Sequence, residues 1–598
     1  MLIDYSSKKI RYAVISIALF LIFLAIPKIF IPEIHSLKLS AENFQTIGIP
    51  NDYRHASIPS IKHYYVAGNI NYHSYQFHSF HITPDDCLRS LTINEHLVPI
   101  SSMHLNLCDY NNGFDIDLGP YLMEGGNNLQ MDIEDFGGAF SIGIYPDWPK
   151  LLILSFISVF LAILILLWKK IGVDSKSVFI LSAAIIIYFI NFFHSVPSQY
   201  NYDWGGHIEY IQHVLSHFSP PAPNAGREFY HPALYYYITA LAIKIFGFLG
   251  YNNTIVNIRL VSLGLFIGFL TFSALTLRSA IKSRFYYLAL SALVFWPVGV
   301  TMASRINNDI PLYFFYSAAF YYLVLWIKNP STKLLSRALI FSGLAVATKS
   351  NGLILFPIIA LTIAYKWKQR NCTLRELFGR QLLIPLLLCI ALCSTNFGRT
   401  AYYHFMNGTS MEIVSNTGIF GNEMRVINKP YYFLSFNYDI FMQEPFFNVL
   451  SDQTGRQYFW NTLLKSSLFG EFTWREPTLA IFLSFILLLM ILYAAVPVIS
   501  VMAFSRKPSP ASPEIKFYLI ALIIPLLSLA MARITYPLAC SQDFRYIYPV
   551  IIPCLIIYNI VLEWSKEKQL RTLYGLGIFL ITTFTSLCLI FILMQHFA

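Results

Sequence analysis

Charge is scarce in this sequence. Only 12% of its 598 residues are Asp, Glu, Lys or Arg, against about 25% in soluble domains, and that shortage excludes a soluble globular protein. The apolar majority gathers in runs such as 151–168 and 572–594, close to the ~20 residues that span hydrocarbon as a helix. Polar alternation is missing from those runs, which excludes the strands of a membrane barrel. No small-residue cleavage site follows the first apolar run, about residues 12–31 (it continues IPKIFIPEIHS), so residues 1–32 are expected to remain as a membrane anchor. Cysteine is sparse: most of the eight residues lie in or beside apolar runs as packing residues. Internal repeats and low-complexity tracts are absent, and the proline-rich 505–513 stretch SRKPSPASP reads as a short inner linker.

What charge there is carries a pattern. The net charge of +10 could point to nucleic acid, but the basic residues sit in short loops between apolar runs. They form groups at Lys8, Lys9 and Arg11; Lys169, Lys170 and Lys176; Lys366, Lys368, Arg370 and Arg375; Arg506 and Lys507; Lys566, Lys568 and Arg571. This is the positive-inside distribution, so the charge reports topology and no nucleic-acid partner is expected. Counting spans from a cytoplasmic N-terminus gives about 13 crossings and an outer C-terminus. Arg278, Lys282 and Arg284 belong inside, which leaves room for an odd number of crossings between about 232 and 277. Of the two apolar stretches there, 232–249, with its aromatic start, is expected to be re-entrant or interfacial.

Residues 33–148 then form an outer domain. Short alternating runs (YQFHSFHI, LRSLTI, FDIDL, NLQMDI) separated by Asn, Gly, Pro and Asp predict strands. Cys87 and Cys108 fall here, and an outer location makes a disulfide between them plausible. The stretch NGFDIDLGPYLMEGGNNLQMDIEDFGG resembles the jelly-roll sugar-binding domain at the front of family 2 glycoside hydrolases. Carbohydrate binding and a plain packing role both stay open for this β-sandwich.

The polar motifs of the remainder, 149–598, all fall on the outer side. Loop 198–231 carries Asp203, His207, Glu209, Arg227, Glu228 and His231, followed by Tyr235, and ionisable groups beside a bilayer mark functional sites. Asp203 precedes a Gly pair and a stretch of helical spacing, so it reads as either a general base or an ordinary N-cap. Asp309 likewise reads as a site acid or an N-cap at the start of a span. Lys349 and Arg545, at the outer ends of spans, suit a phosphate, or else snorkel to the interface. Arg305, Arg227 and His231 are further candidates for the same anion. The second outer loop, 397–476, mixes aromatic and polar groups, including Asp452, Arg456 and Trp460, as a sugar platform or an interfacial belt would. His207, His213 and His231 raise the thought of a metal, but no compact ligand set has suitable spacing. No metal site is therefore assigned, and dependence on a divalent ion stays open.

In order, these features resemble the GT-C superfamily of polyprenyl-phosphate-sugar-dependent glycosyltransferases, in particular the branch of protein O-mannosyltransferases and the lipid A aminoarabinose transferase. The likeness runs over about 178–560. It rests on Asp203; the Tyr230-His231-Pro232-Ala233-Leu234-Tyr235 segment; Arg259, Ser262 and Gly264; Pro297, Ser304, Arg305, Asn308, Asp309 and Pro311; Gly343, Leu344, Ala345, Thr348, Lys349 and Gly352; and Asp543, Arg545, Tyr546 and Pro549. Two positions depart from the pattern: Trp204 stands where O-mannosyltransferases have a second acid, and Ala233 where the motif has a second proline.

The resemblance implies a polytopic α-helical GT-C fold carrying the outer β-sandwich. It implies transfer of one sugar, with inversion, from a polyprenyl-phosphate carrier to an acceptor hydroxyl. Asp203 and Asp309 would be catalytic, with Asp203 as base. Lys349, Arg545, Arg305 and His231 would hold the donor phosphate, and His207, Glu209, Glu228, Tyr235 and Trp460 would contact substrate. The expected partners are the lipid-linked donor, the bilayer and a glycolipid, polysaccharide or protein acceptor. Short inner loops favour a bacterial inner membrane, with a periplasmic site, over the endoplasmic reticulum. Two other classes stay alive. A transporter or flippase of lipid-linked sugars would show internal repeats and midplane charges. An inactive glycan-binding relative would not need the Asp203, Asp309, Lys349 and Arg545 set.

Overall fold

The computed structural model describes residues 30–42, 44–49, 52–55, 63–103, 105–109, 113–136, 140–146, 150–195, 203–248, 254–281, 283–368, 380–408, 422–504 and 515–597. Nearly all of the expected N-terminal anchor, the 505–513 linker and part of the 397–476 loop lie outside these. The chain divides into two compact units, Met1–Lys170 with Thr239–Val261, and Ile171–Ile238 with Ser262–Ala598.

Among the described residues the first unit contains ten strands, β1 (Glu33–Ala41), β2 (Phe44–Gly48), β3 (Asp52–His55), β4 (His63–Tyr72), β5 (Ser79–Thr83), β6 (Cys87–Ile93), β7 (His96–Leu97), β8 (Phe114–Asp117), β9 (Gly125–Glu134) and β10 (Phe140–Pro146). They form a six-stranded sheet in the order β2-β1-β4-β9-β6-β7 and a four-stranded sheet in the order β3-β10-β5-β8. The four alternating runs of the sequence lie over β5, β6, β8 and β9. Alternation buries one side chain in two: Tyr64 and Val66 of β4, Phe80 and Ile82 of β5, and Leu129, Met131 and Ile133 of β9 share one apolar core. Cys87, at the start of β6, is disulfide-bonded to Cys108. Helix α1 (Lys150–Lys170) follows.

The second unit is helical. Its elements begin with α2 (Ser175–His194) and α3 (Trp204–His217), and α4 (Leu234–Phe248) and α5 (Thr254–Ala280) each run across the boundary between the units. Next come α6 (Tyr286–Val294), α7 (Pro297–Met302), α8 (Asp309–Lys328), α9 (Thr332–Thr348), α10 (Leu355–Lys368), α11 (Arg380–Asn407), α12 (Pro430–Leu434), α13 (Tyr438–Gln443) and α14 (Phe459–Phe469). The last four are α15 (Pro477–Phe504), α16 (Ile515–Thr535), α17 (Ile551–Glu567) and α18 (Arg571–Phe597).

Among the described residues, nine helices are long and apolar enough to cross a bilayer, so the protein is an integral, multi-pass membrane protein. The expected tally of about 13 differs at identifiable places. Nearly all of the first run lies outside the described residues. The crossing expected near 285–303 is two short helices, α6 and α7, because Pro297 cannot donate a helical hydrogen bond and disfavours helix at the residue before it. Helix α9 has 17 residues, and α1, over the expected 151–168 crossing, is not among the nine. Helix α4, expected to be re-entrant and so not counted as a crossing, has 15 residues, about 22 Å of helix against a core of about 30 Å.

Candidate active site

Asp203 occupies the N-cap position of α3, yet its side chain makes no capping hydrogen bond. It turns instead toward two cations: Arg227 Nη2 lies 3.2 Å from Oδ1 and Arg545 Nη2 lies 3.4 Å from Oδ2. Its side chain keeps 24% exposure. Burial alone would raise its pKa, but Arg545, His207, Arg227 and Arg305 outweigh burial and hold the carboxyl at about 2. The capping alternative is thus not the geometry found, and Asp203 is a carboxylate drawn into a cluster of bases.

Helix α3 sets the first wall of the cluster. Gly206 is buried, and a Cβ there would lie 2.6 Å from Glu228 Cγ, so only glycine lets the 227–231 turn approach this closely. His231 Nε2 stands 3.0 Å from Glu228 Oε2. Burial raises the Glu228 pKa and lowers that of His231 well below the ordinary range. The imidazole is therefore neutral, and it can offer an anion a hydrogen bond but not the charge expected of it. His207 is paired through Nδ1 with Tyr236 Oη at 2.9 Å, and burial takes its pKa down to about 4. Tyr235 is fully buried beside it, ring edge to His207.

The opposite wall comes from four more segments. Asp309, wholly buried at the start of α8, pairs with Lys349 Nζ at 2.6 Å, and Lys349 caps the end of α9 beneath the Tyr546 ring. Arg305 is buried over Phe472, with Nε and Nη2 lacking hydrogen-bond partners among the described residues. Burial, reinforced by nearby Arg545, lowers its pKa. Arg545 stacks on Tyr546 and lies 3.5 Å, through Nε, from Asp543 Oδ2. Lys349 and Arg545 are both buried, so neither snorkels.

Some expected residues stand apart. Glu209 is exposed on α3 and joins none of these pairs. Trp460 donates its indole N–H to the Phe433 carbonyl at 2.8 Å, which commits its polar edge elsewhere. Asp452 and Arg456 pair with each other. Among the described residues, no group of three or more His, Cys, Asp or Glu side chains could hold a metal ion, and the carboxylates of Asp203 and Asp309 face basic side chains instead.

Two further residues join the cluster that were not among the sequence candidates. Arg399 of α11 donates to Tyr210 Oη at 2.5 Å and to the carbonyls of Tyr230 and His231 at 3.1 and 2.9 Å, tying the turn to α3. A lone arginine inside an apolar run was the available signal. Glu471, buried beside Asp543 and Arg545, is a single acid in SLFGEFTW and gave no comparable one.

Residues 230–397 match the profile of the family described as dolichyl-phosphate-mannose-protein mannosyltransferase. No curated protein matches the chain. Among solved structures, ArnT from Cupriavidus metallidurans bound to undecaprenyl phosphate is similar at 13% identity and a TM-score of 0.31, covering 64% of this chain and 77% of that one. The apo oligosaccharyltransferase of Archaeoglobus fulgidus is similar at 13% identity and a TM-score of 0.40, covering 70% of this chain and 56% of that one. Oligosaccharyltransferase AglB of the same archaeon, in complex with an inhibitory peptide and a dolichol-phosphate, is similar at 12% identity and a TM-score of 0.35, covering 72% and 56%. The chain thus spans about half the length of the archaeal enzyme.

Proposed function

We propose that this chain, a membrane glycosyltransferase of the GT-C superfamily, moves one sugar from a polyprenyl-phosphate carrier to an acceptor hydroxyl on the outer face of the membrane. The observation that carries the reading is the buried grouping of Arg305, Lys349 and Arg545 close to Asp203, a part-exposed carboxylate ion-paired with Arg545 and Arg227. Two buried nitrogens of Arg305 lack protein partners among the described residues. Buried donors without partners are costly, and a phosphodiester oxygen would satisfy them with charge-assisted bonds.

In this reading the acceptor oxygen attacks the anomeric carbon as the bond to the phosphate oxygen breaks. The electron pair leaves with the polyprenyl phosphate, and the hydroxyl proton passes to Asp203 and then to water. A carboxylate held near 2 is a weak base. The donor phosphate answers this by competing for Arg545, whose contact with Asp203 is long at 3.4 Å. Losing that partner raises the basicity of Asp203 when the donor is in place. Asp309 acts one step back, by fixing Lys349.

The acceptor best suited to this site is a cell-envelope glycolipid or polysaccharide, with a protein acceptor as the other choice. The site would face the periplasm of a bacterial inner membrane, as the short inner loops favour. The β-sandwich, residues 33–148, would serve as an accessory domain to the 149–598 core. Incubating the purified protein with a panel of radiolabelled polyprenyl-phosphate sugars and extracted envelope lipids tests the reading. Label is expected in a lipid or polysaccharide product from one donor. Donor bound but never transferred by wild-type protein would overturn it in favour of a carrier.

A further inference from the structure

Glu471 is a buried acid that the proposed reaction does not use, and its placement is built into the chain. Gly470 ends α14 with φ of 66°, in the left-handed region that side chains avoid. A Cβ on it would stand 3.1 Å from the Phe472 ring. That reversal turns Glu471 inward, to 8% exposure, and seats Phe472 under the Arg305 guanidinium, 5.0 Å from its ring centroid. The Trp474 indole N–H closes the turn by donating to the Phe469 carbonyl at 3.0 Å.

Inside, Glu471 stands against a second buried carboxyl, Asp543. Both oxygens of Asp543 are directed at Arg545: Oδ1 accepts from its backbone N–H at 2.9 Å, and Oδ2 lies 3.5 Å from its Nε. Two carboxylates cannot hydrogen-bond to each other without a proton between them. Glu471 Oε1 has no hydrogen-bond donor among the described residues, so a charge there would lack that hydrogen bond. Burial pushes Glu471 up to about 8, with Asp543 and Asp203 adding to the rise and Arg545 opposing it. The other titratable groups facing it are Arg305, Cys540 and Tyr546.

We propose that Glu471 is a positioning residue that works as a neutral acid: its proton ties it to Asp543, leaves Asp543 a single negative charge for Arg545, and keeps the phosphate end of the site free of another carboxylate. The proposal rests on the transferase reading above. Its consequence is that donor binding weakens when Glu471 ionises, because a new anion then stands behind the arginines that hold the phosphate.

The test is equilibrium binding of a polyprenyl-phosphate mannose to the purified full-length protein, with sugar transfer followed on the same preparations. This donor is a phosphodiester, whose own charge is constant over the range examined. As pH rises from about 6.5 to about 9.5, either side of the value near 8, wild-type affinity is expected to fall by about tenfold for each pH unit by which bound donor shifts Glu471. Glu471→Gln keeps a neutral donor, so it is expected to match wild type at the acid end and to lose that part of the fall. Lys349 also faces the site, but its deprotonation affects both proteins alike. Parallel profiles would overturn the proposal. An infrared spectrum of wild type is the second measurement. It should show a protonated carboxylic-acid band that disappears over the same range and is missing from folded Glu471→Gln; an identical band in both proteins would overturn the proposal. Wild type that binds no phosphodiester donor at any pH would refute the transferase reading itself. Transfer with identical pH dependence of binding in both proteins would refute only the role of Glu471.

Discussion

Asp203 shows how far single residues can be read. It carries opposing influences: burial disfavours its charge, and Arg545 with its neighbours restores it and more. The sign of the resulting pH dependence follows. In the free enzyme the carboxylate is ionised at every pH above about 2, so kcat/KM should show no acid limb from this group near neutrality. Once donor phosphate engages Arg545, the Asp203 pKa rises and the acid limb of kcat should lie at higher pH than that of kcat/KM. Coincident limbs in the two profiles would count against the exchange of partners. The Asp309–Lys349 pair gives a stability prediction. Asp309→Ala strands a buried ammonium and should cost about 3–5 kcal/mol, whereas Asp309→Ala with Lys349→Met removes both charges and should recover much of that. Thermal unfolding of the two variants checks this. Asp203, Asp309, Lys349 and Arg545 were legible because ionisable groups are conspicuous in an apolar chain. Whether each was buried and paired or exposed as a cap or snorkelling residue was not, since Asp203 meets Arg545 across 342 residues of sequence.

At the scale of elements, the strands of the sandwich and the long helices follow from period-two alternation and from apolar run length, and both were readable. The split between α6 and α7 was not, because an apolar run gives a length but not the point where Pro297 interrupts it. The approach of α3 to the 227–231 turn was half visible: the Gly pair announced a special position, while its neighbour, Glu228, emerged only in three dimensions. Gly206→Ala should push Glu228 away from His231 by the few tenths of an ångström or more that a 2.6 Å contact demands. We expect a fall in transfer of about tenfold with little change in melting temperature. Normal transfer by a folded Gly206→Ala protein would show that the Glu228–His231 pair does not matter to the reaction.

For the whole molecule, the two units pose separate questions. The sandwich carries a disulfide closing a sequence separation of 21 residues, worth about 3 kcal/mol in the chain-entropy account, and it implies an oxidising compartment. Reduction should lower the melting transition of the sandwich, read by calorimetry with and without reductant, and an unchanged transition would make the bond incidental to stability. The helical unit holds every residue assigned a catalytic or phosphate-binding role, so its chemistry can be tested directly. The most direct measurement is a single turnover, starting from labelled polyprenyl-phosphate sugar bound to wild type or to Asp203→Asn. The account predicts that Asp203→Asn binds donor at least as tightly as wild type, because the Asp203 carboxylate no longer competes with the phosphate for Arg545, and transfers the sugar about 10²–10⁴-fold more slowly. Transfer at the wild-type rate by Asp203→Asn would contradict it.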